Sequence, residues 1–385
     1  MPSSTSPAAS RVTLKMIAAR AGVHFSTVSL ALKNHPGIPV ATRERLQALA
    51  REMGYRPDPV LASLVAYRMQ QRKPSMRGVL AWVDMWPVVF AGGRRLFPAL
   101  WAGAAERAEC LGWKLEEFRT ARLGLSPGRL SGMLRSRGID GLLVAPLPGE
   151  GAALALDWPA FSVITVGITL TSPRLHRVMP HHVHNMQILM RELHALGYRR
   201  PAFVLDRTIN ERTQHYWQAA FLDAQRVLPR SRRLEPLVMQ SFDAAGKASL
   251  LAWRRRHRPD VIVSSRAGDT LRLLESAGLH VPGDIGVASA AFLTETWKPQ
   301  KPSPSGTVGT AGTVGTAGTA GIAGIADTTG IAGIDERFDT IGATTVNTLV
   351  GFIHRHERGV PGEAMHILIE GRWCPGRTLR AQKVA

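Results

Sequence analysis

The sequence predicts a multidomain α and α/β protein: a three-helix N-terminal domain, a short helix with a linker, then two doubly wound α/β lobes. Three observations predict this. Residues 13–57 carry helical periodicity interrupted by glycines and a polar loop. From Gly78 onward, short β-rich runs alternate with helical patterns, as parallel sheets with crossover helices require. The length of 385 residues exceeds one ordinary core and suits two lobes beside a small domain.

The elements follow in order. Thr13 can cap a first helix, Leu14–Ala21, with Leu14, Ile17, Ala18 and Ala21 on one face. Gly22 breaks it, since glycine accepts the left-handed turn between helices. A second helix, about Phe25–Leu32, turns Val28 and Leu32 inward, and Asn34 to Gly37 form a loop. A third helix, about Val40–Met53, buries Leu46, Leu49 and Met53 and stops at Gly54. Pro57 and Pro59 stiffen the exit. Val60–Tyr67 is an amphipathic segment of about two turns, marginal as an isolated helix. Residues 70–77 are a polar, basic linker.

Beyond it, strands are expected at Val79–Val83, Ile139–Ala145, Phe161–Val166, Ala202–Leu205, Val261–Ser264 and Ile285–Ala288. Helices are expected at Pro98–Leu111, Pro127–Arg137, Met186–Leu196, Glu211–Gln225 and Ala244–His257. Residues 298–333 depart from this pattern: a proline-rich run leads into Gly-Thr-Val/Ala repeats with Asp327 as the only charge from Ser305 to Ile334. They read as a low-complexity surface loop, so that 305–333 is expected to be removable by joining Pro304 to Ile334.

Composition narrows the function. Hydrophobic residues at 45% and charged residues at 20% describe a globular chain. Uninterrupted apolar stretches of about eighteen residues are absent, and residues 1–12 are a polar tail without the apolar core of a secretory signal. Cys110 and Cys374 are too few for a disulfide framework or a cysteine zinc site, which fits a reducing cytoplasm. The informative quantity is charge: 48 Lys+Arg against 29 Asp+Glu gives +19. Twelve of those cations and only three of the acids lie in residues 1–77. So basic an N-terminal end expects a polyanion.

Leu14-Lys-Met-Ile-Ala-Ala-Arg-Ala-Gly-Val23, Ser26-Thr-Val-Ser29, Thr42-Arg-Glu-Arg45 and Gly54-Tyr-Arg-Pro57 together resemble the lactose repressor (LacI/GalR) family of bacterial transcription regulators. The resemblance implies a lambda-repressor-like helix-turn-helix at 13–57, a hinge helix within 58–77, and an effector-binding, dimerising core resembling a type I periplasmic binding protein. Weaker matches to that core are His194 to Arg200, Pro259 to Val263, Val281 to Val287, Ile341 to Asn347 and Ile369 to Arg372. Lobe 1 is then expected at about 78–178 and 334–358, and lobe 2 at about 180–297 and 359–380. A helix-turn-helix sets its second helix in the major groove, which assigns base contacts to His24, Phe25, Ser26 and Leu30. Thr13, Thr27, Ser29, Lys33, Thr42 and Arg43 are assigned to phosphates. Tyr55, Leu61 and Leu64 are assigned to the minor-groove hinge, Leu64 as the apolar wedge.

The chain also departs from the family. His24, Leu30 and Lys33 stand where serine, arginine and asparagine are frequent, so an unusual operator is expected. Of the family's effector residues only an arginine equivalent, Arg212, is present; the Asn-Asp and the final aspartate are replaced by Ser264-Ser-Arg266 and Ser289-Ala-Ala291. Trp86, Arg212, Trp217 and Arg266 are the effector candidates, and they favour an anionic or aromatic ligand over a sugar.

Two patterns for chemistry are weighed and set aside. Gly124-Leu-Ser-Pro-Gly128 fits a nucleophile elbow, but Ser126-Pro127 reads better as a helix cap with proline at the first position. His181-His-Val-His184 has metal-ligand spacing without a cysteine nearby and reads as a polar cluster. The expected protein is therefore a cytoplasmic, nucleoid-associated repressor: a homodimer on a palindromic double-stranded operator, switched by a small molecule, without catalysis, cofactor, metal or membrane attachment. The alternatives are a ligand-binding or hydrolytic module with a DNA anchor, or a constitutive DNA-binding protein.

Overall fold

The computed structural model describes residues 12–32, 37–55, 78–86, 97–120, 126–149, 152–291 and 330–382. The N-terminal head has three helices, α1 (Leu14–Ala21), α2 (Phe25–Leu32) and α3 (Val40–Glu52). Thr13 Oγ1 accepts the Met16 N–H at 3.4 Å and caps α1. Gly22, at φ 67°, takes the left-handed conformation that ends it. Ile17, Ala18, Val28, Ala31, Leu46 and Ala50 form the buried core. Ala31, not Leu32, fills the innermost place at the end of α2; its carbonyl accepts Gln47 Nε2 at 2.9 Å from α3.

Lobe 1 contains β1 (Gly78–Asp84), α4 (Pro98–Cys110), β2 (Trp113–Arg119), α5 (Pro127–Ser136), β3 (Gly141–Val144), the short β4 (Ala152–Ala153), β5 (Ser162–Val166), β6 (Leu170–Ser172) and β7 (Arg177–Pro180). The chain then crosses to lobe 2: α6 (His182–Ala195), β8 (Pro201–Asp206), α7 (Arg207–Arg212), α8 (Tyr216–Ala224), β9 (Leu237–Met239), α9 (Ala244–His257), β10 (Val261–Ser264), α10 (Ala267–Glu275), β11 (Gly286–Ser289) and β12 (Ala332–Asp335). It returns to lobe 1 for α11 (Phe338–Arg355) and β13 (His366–Ile369), and ends in lobe 2 with β14 (Arg372–Cys374).

Each lobe is a six-stranded sheet. The first, ordered β13-β7-β5-β3-β1-β2, is parallel throughout; the second, β14-β12-β11-β10-β8-β9, is parallel except for the β12–β14 pair. Both faces of each sheet are covered by helices, which explains runs such as Val261–Ser264 and Ser162–Val166 that are buried at every position. The three crossings, near 181, 337 and 370, give the two lobes a common seam.

Several expectations change here. The return to lobe 2 expected near residue 358 comes after Ile369, because β13 pairs with β7. Glu211–Gln225 is two helices, broken where Gln214 and His215 both take positive φ. The stretch expected as loop to residue 333 ends sooner: Ile331 to Ile334 are buried, and Ala332 and Gly333 pair with β11. Gly333 lies so close to Ser289 that any Cβ would meet its carbonyl oxygen. Here glycine serves packing, not flexibility. Among the described residues, no helix is long and apolar enough to cross a membrane.

Candidate functional site

Two places gather the chain's polar and aromatic side chains. The first is the outer surface of α2. Burial of Val28 and Ala31 turns the opposite side of the helix outward, leaving Phe25 46% and Leu30 36% exposed. His24 and Ser26 are also exposed, whereas Thr27 and Ser29 are half-buried. His24 Nδ1 lies 2.8 Å from Ser26 Oγ, and its ring centroid lies 4.5 Å from that of Phe25 with the planes tilted by 46°, so these three side chains form one patch at the start of α2. Thr13 caps α1; Thr42 and Arg43 are half-buried in the first turn of α3. Tyr55 packs against the head's core, and Lys33, Leu61 and Leu64 lie outside the described residues.

The second place is the seam. In parallel α/β sheets the loops after the strands' carboxyl ends carry ligands, and both sheets direct those ends to the seam. A cavity of about 100 Å³ opens there. Lobe 1 supplies Phe97, Pro146, Val166 to Thr169 and Phe338; lobe 2 supplies His182, Ile209, Arg212, Thr213, Trp217 and Glu336. An apolar cavity of about 150 Å³ accepts benzene, so this one is on the scale of a single ring.

Most of the cavity's polar groups are already engaged. Thr169 Oγ1 accepts the Leu147 N–H at 2.7 Å, and Thr213 Oγ1 donates to Ile209 O at 2.9 Å. Trp217 Nε1 lies 2.6 Å from His182 Nδ1, and Glu336 Oε1 lies 3.1 Å from the same nitrogen. All three side chains are buried.

Arg212 is different. Its Nη2 donates to Leu147 O at 3.0 Å, and its guanidinium sits 4.8 Å from the Trp86 ring centroid. The Trp86 indole is fixed by its N–H to Pro146 O at 2.7 Å. Arg212 Nε is buried without a partner, and no described carboxylate forms an ion pair with the guanidinium. Burial pulls its pKa down to about 10, partly offset by Asp206. The group remains a cation at neutral pH, partly buried and without an ion pair among the described residues. Next to it, Gln214 Nε2 donates to Ile168 O at 2.9 Å, so one corner of lobe 2 makes two bonds to lobe 1 carbonyls.

The structure thus sets Arg212 and Trp217 in the cavity lining, with Trp86 against the Arg212 guanidinium but outside that lining, and leaves Arg266 out of it as well. Arg266 Nε bonds Asp269 at 2.6 Å, Nη1 reaches Asp206 at 3.3 Å, and the group covers Phe242. Arg272 holds the other oxygen of Asp269. Sequence reasoning missed His182 as a cavity residue, and also Glu336 and Phe338; their only signal is a position beside a lobe crossing. The three histidines diverge: His181 caps α6, His182 enters the cavity, and His184 lies 3.7 Å from Glu370. Among the described residues no group of three potential ligands could hold a metal ion. Ser126 caps α5, accepting the Arg129 N–H at 3.4 Å with Pro127 at the first position.

Residues 13–58 match the family described as bacterial regulatory proteins, lacI family. No curated protein sequence matches the chain. Among solved structures, the transcriptional regulator CelR in complex with cellobiose is 17% identical, with 96% of this chain and 100% of that one covered and a TM-score of 0.50. The lac repressor dimer bound to operator and the anti-inducer ONPF is 15% identical, with 97% and 100% covered and a TM-score of 0.50. A LacI family regulator from Enterococcus faecium with bound ribose is 14% identical, with 79% and 100% covered and a TM-score of 0.51. At these identities the likeness is one of fold.

Proposed function

We propose that this chain, whose residues 13–58 match the lacI family, is a DNA-binding transcriptional regulator that grips a two-fold symmetric operator as a homodimer and is switched by a small molecule between its lobes. One head buries little surface, and a two-fold dimer matches two half-sites. His24, Phe25, Ser26 and Leu30 read base edges. Thr13, Thr27, Ser29, Lys33, Thr42 and Arg43 hold phosphates, and Tyr55, Leu61 and Leu64 act at the hinge. Leucine in place of arginine at position 30 favours apolar contact, such as a thymine methyl, over a guanine edge.

The observation that carries the switch is the cavity at the seam, whose walls come from both lobes. A ligand there touches surfaces that move apart when the lobes open. It shifts the arrangement by its differential affinity, typically about 1–3 kcal/mol. The structures with cellobiose and ribose make sugars the first comparison. A sugar brings many hydroxyls, and each one buried without a partner costs about 1–3 kcal/mol. This cavity offers apolar walls and one unpaired cation, which supports a compact ligand with an apolar body and an anionic group.

Thermal unfolding with benzoate, phenylacetate, cellobiose and ribose tests this, because a ligand confined to the native state raises the melting temperature. Stabilisation by an aromatic acid, with a changed operator affinity, is the expected result. Stabilisation by a neutral sugar alone refutes the ligand class; stabilisation without any change in operator affinity refutes the switch.

A further inference from the structure

Ion pairs and arginines are distributed differently over the core. In lobe 1, Arg135 pairs with Asp157, Arg137 with Glu116 and Arg358 with Asp140. Residues 199–258 of lobe 2 hold thirteen Lys+Arg against five Asp+Glu. Within them, the turn carrying Arg230, Arg232 and Arg233 and the end of α9 carrying Arg255, Arg256, with Arg258 just beyond, are exposed. Among the described residues none of these six arginines forms an ion pair, although Arg233 also donates Nε to Leu228 O at 2.9 Å and Nη2 to Arg226 O at 2.6 Å.

The two groups share one end of the lobe. β8 and β10 run parallel with Pro201 beside Val261, so the residues just before them emerge together. Arg200 links the groups: its carbonyl accepts the Asp260 N–H at 3.3 Å, and its Nη1 donates to Ser231 O at 3.3 Å. This is the amino-terminal end of the strands, away from the seam. The acids of the same stretch are directed elsewhere. Asp206 and Asp243 cap helices, Glu211 pairs with Arg207, Asp223 pairs with Arg226, and Asp260, just beyond, accepts the N–H groups of Arg199 and Arg200; Glu235 is exposed beside the turn. Cations at the end of α9 also suit the helix dipole, but that gives no reason for the separate turn.

We propose that this end of lobe 2 binds the phosphate backbone of a second DNA duplex without sequence preference, so that operator-bound protein bridges two DNA segments. Guanidinium groups match phosphate geometry, and contacts to phosphate carry no sequence requirement. The head joins the core through Gly78, at the start of β1 in the other lobe and likewise away from the seam. The two DNA contacts therefore belong to opposite ends of the core. The inference rests on the DNA-binding reading of the head, and the test separates the two.

Full-length protein is loaded on an immobilised duplex carrying its selected operator and offered a labelled duplex lacking that site. Capture of the second duplex is expected to fall steeply with salt. The triple variants R230Q/R232Q/R233Q and R255Q/R256Q/R258Q should each reduce the log–log salt slope by about two to three, as expected when that many phosphate contacts are lost. R255Q/R256Q/R258Q should keep the wild-type melting temperature, both variants should keep operator affinity, and the matching lysine variants should retain capture. No capture by wild type at low salt overturns the proposal, as does undiminished capture by both glutamine variants. Binding of polyglutamate without binding of the duplex also overturns it, in favour of an acidic protein partner. Failure to bind the operator at all would instead count against the head.

Discussion

The guanidinium of Arg212, from lobe 2, lies 4.8 Å from the centroid of the Trp86 ring, from lobe 1. This contact spans the seam, and with the bond to Leu147 O it places a partly buried cation where two lobes meet. Attraction of this kind contributes about 0.5–2 kcal/mol, well below the penalty for leaving the charge unmatched. The geometry is that of a counter-ion site held ready, not of a clamp that stabilises the free protein.

Arg212→Met should accordingly leave the melting temperature unchanged or raise it, since an apolar side chain of similar length replaces a partly buried charge that forms no ion pair among the described residues. The same variant should lose stabilisation by any anionic ligand. Calorimetry with and without phenylacetate checks both; marked destabilisation of the free variant would identify Arg212 as an interlobe clamp instead.

His182 and Glu336 should behave as a coupled pair. Replacing His182 by leucine leaves Glu336 buried without that partner, at a cost of about 1–3 kcal/mol, whereas replacing Glu336 leaves His182 its bond from Trp217 and should cost less. Replacing both should cost less than the sum of the single changes. Urea denaturation of the three variants measures the coupling, and strict additivity would mean that the contact at 3.1 Å contributes nothing.

Two deletions differing by four residues separate the repeat from the strand it leads into. Removal of 305–329 should leave cooperative unfolding intact, since long surface insertions weigh little on stability. Removal of 305–333 takes Ile331, Ala332 and Gly333 out of the second sheet and should leave lobe 2 unfolded. Equal behaviour of the two proteins would contradict the position of β12.

The thiols give an inexpensive check on lobe 2. Cys110 is exposed, whereas Cys374 is buried and its pKa is pushed up to about 11 by burial. Because the thiolate is the reactive form, iodoacetamide at mildly alkaline pH should modify Cys110 in the folded protein and both thiols only after denaturation. Rapid native labelling of Cys374 would place β14 elsewhere.

The sequence made the head and most buried strands legible, because glycine stops, helical spacing and short β-branched runs are local signals. What it hid was set by distant partners. Trp113–Arg119 carries four charged residues yet forms β2, an edge strand with only Phe118 fully buried. Strand β12 begins inside a glycine repeat because its neighbour leaves no room for a side chain at Gly333. The break at Gln214 and His215 has neither glycine nor proline to announce it. At the seam, Trp86, Arg212 and Trp217 were recognisable by residue type and by position after strands. Arg266 offered the same signal, but Asp206 and Asp269 hold it, and that arrangement appears only in three dimensions.

The central claim, that the head reads a two-fold symmetric DNA site through α2, is tested most directly by selecting bound duplexes from a random pool and footprinting the winners. The account predicts an inverted repeat protected over two half-sites. It also predicts that Phe25→Ala and Leu30→Ala, both changes of exposed side chains, alter the preferred bases at a cost of about 1–3 kcal/mol on the original site. Melting should be unaffected within about 0.5 kcal/mol. Enrichment of no sequence, a single asymmetric protected site, or unchanged base preference in both variants would contradict it.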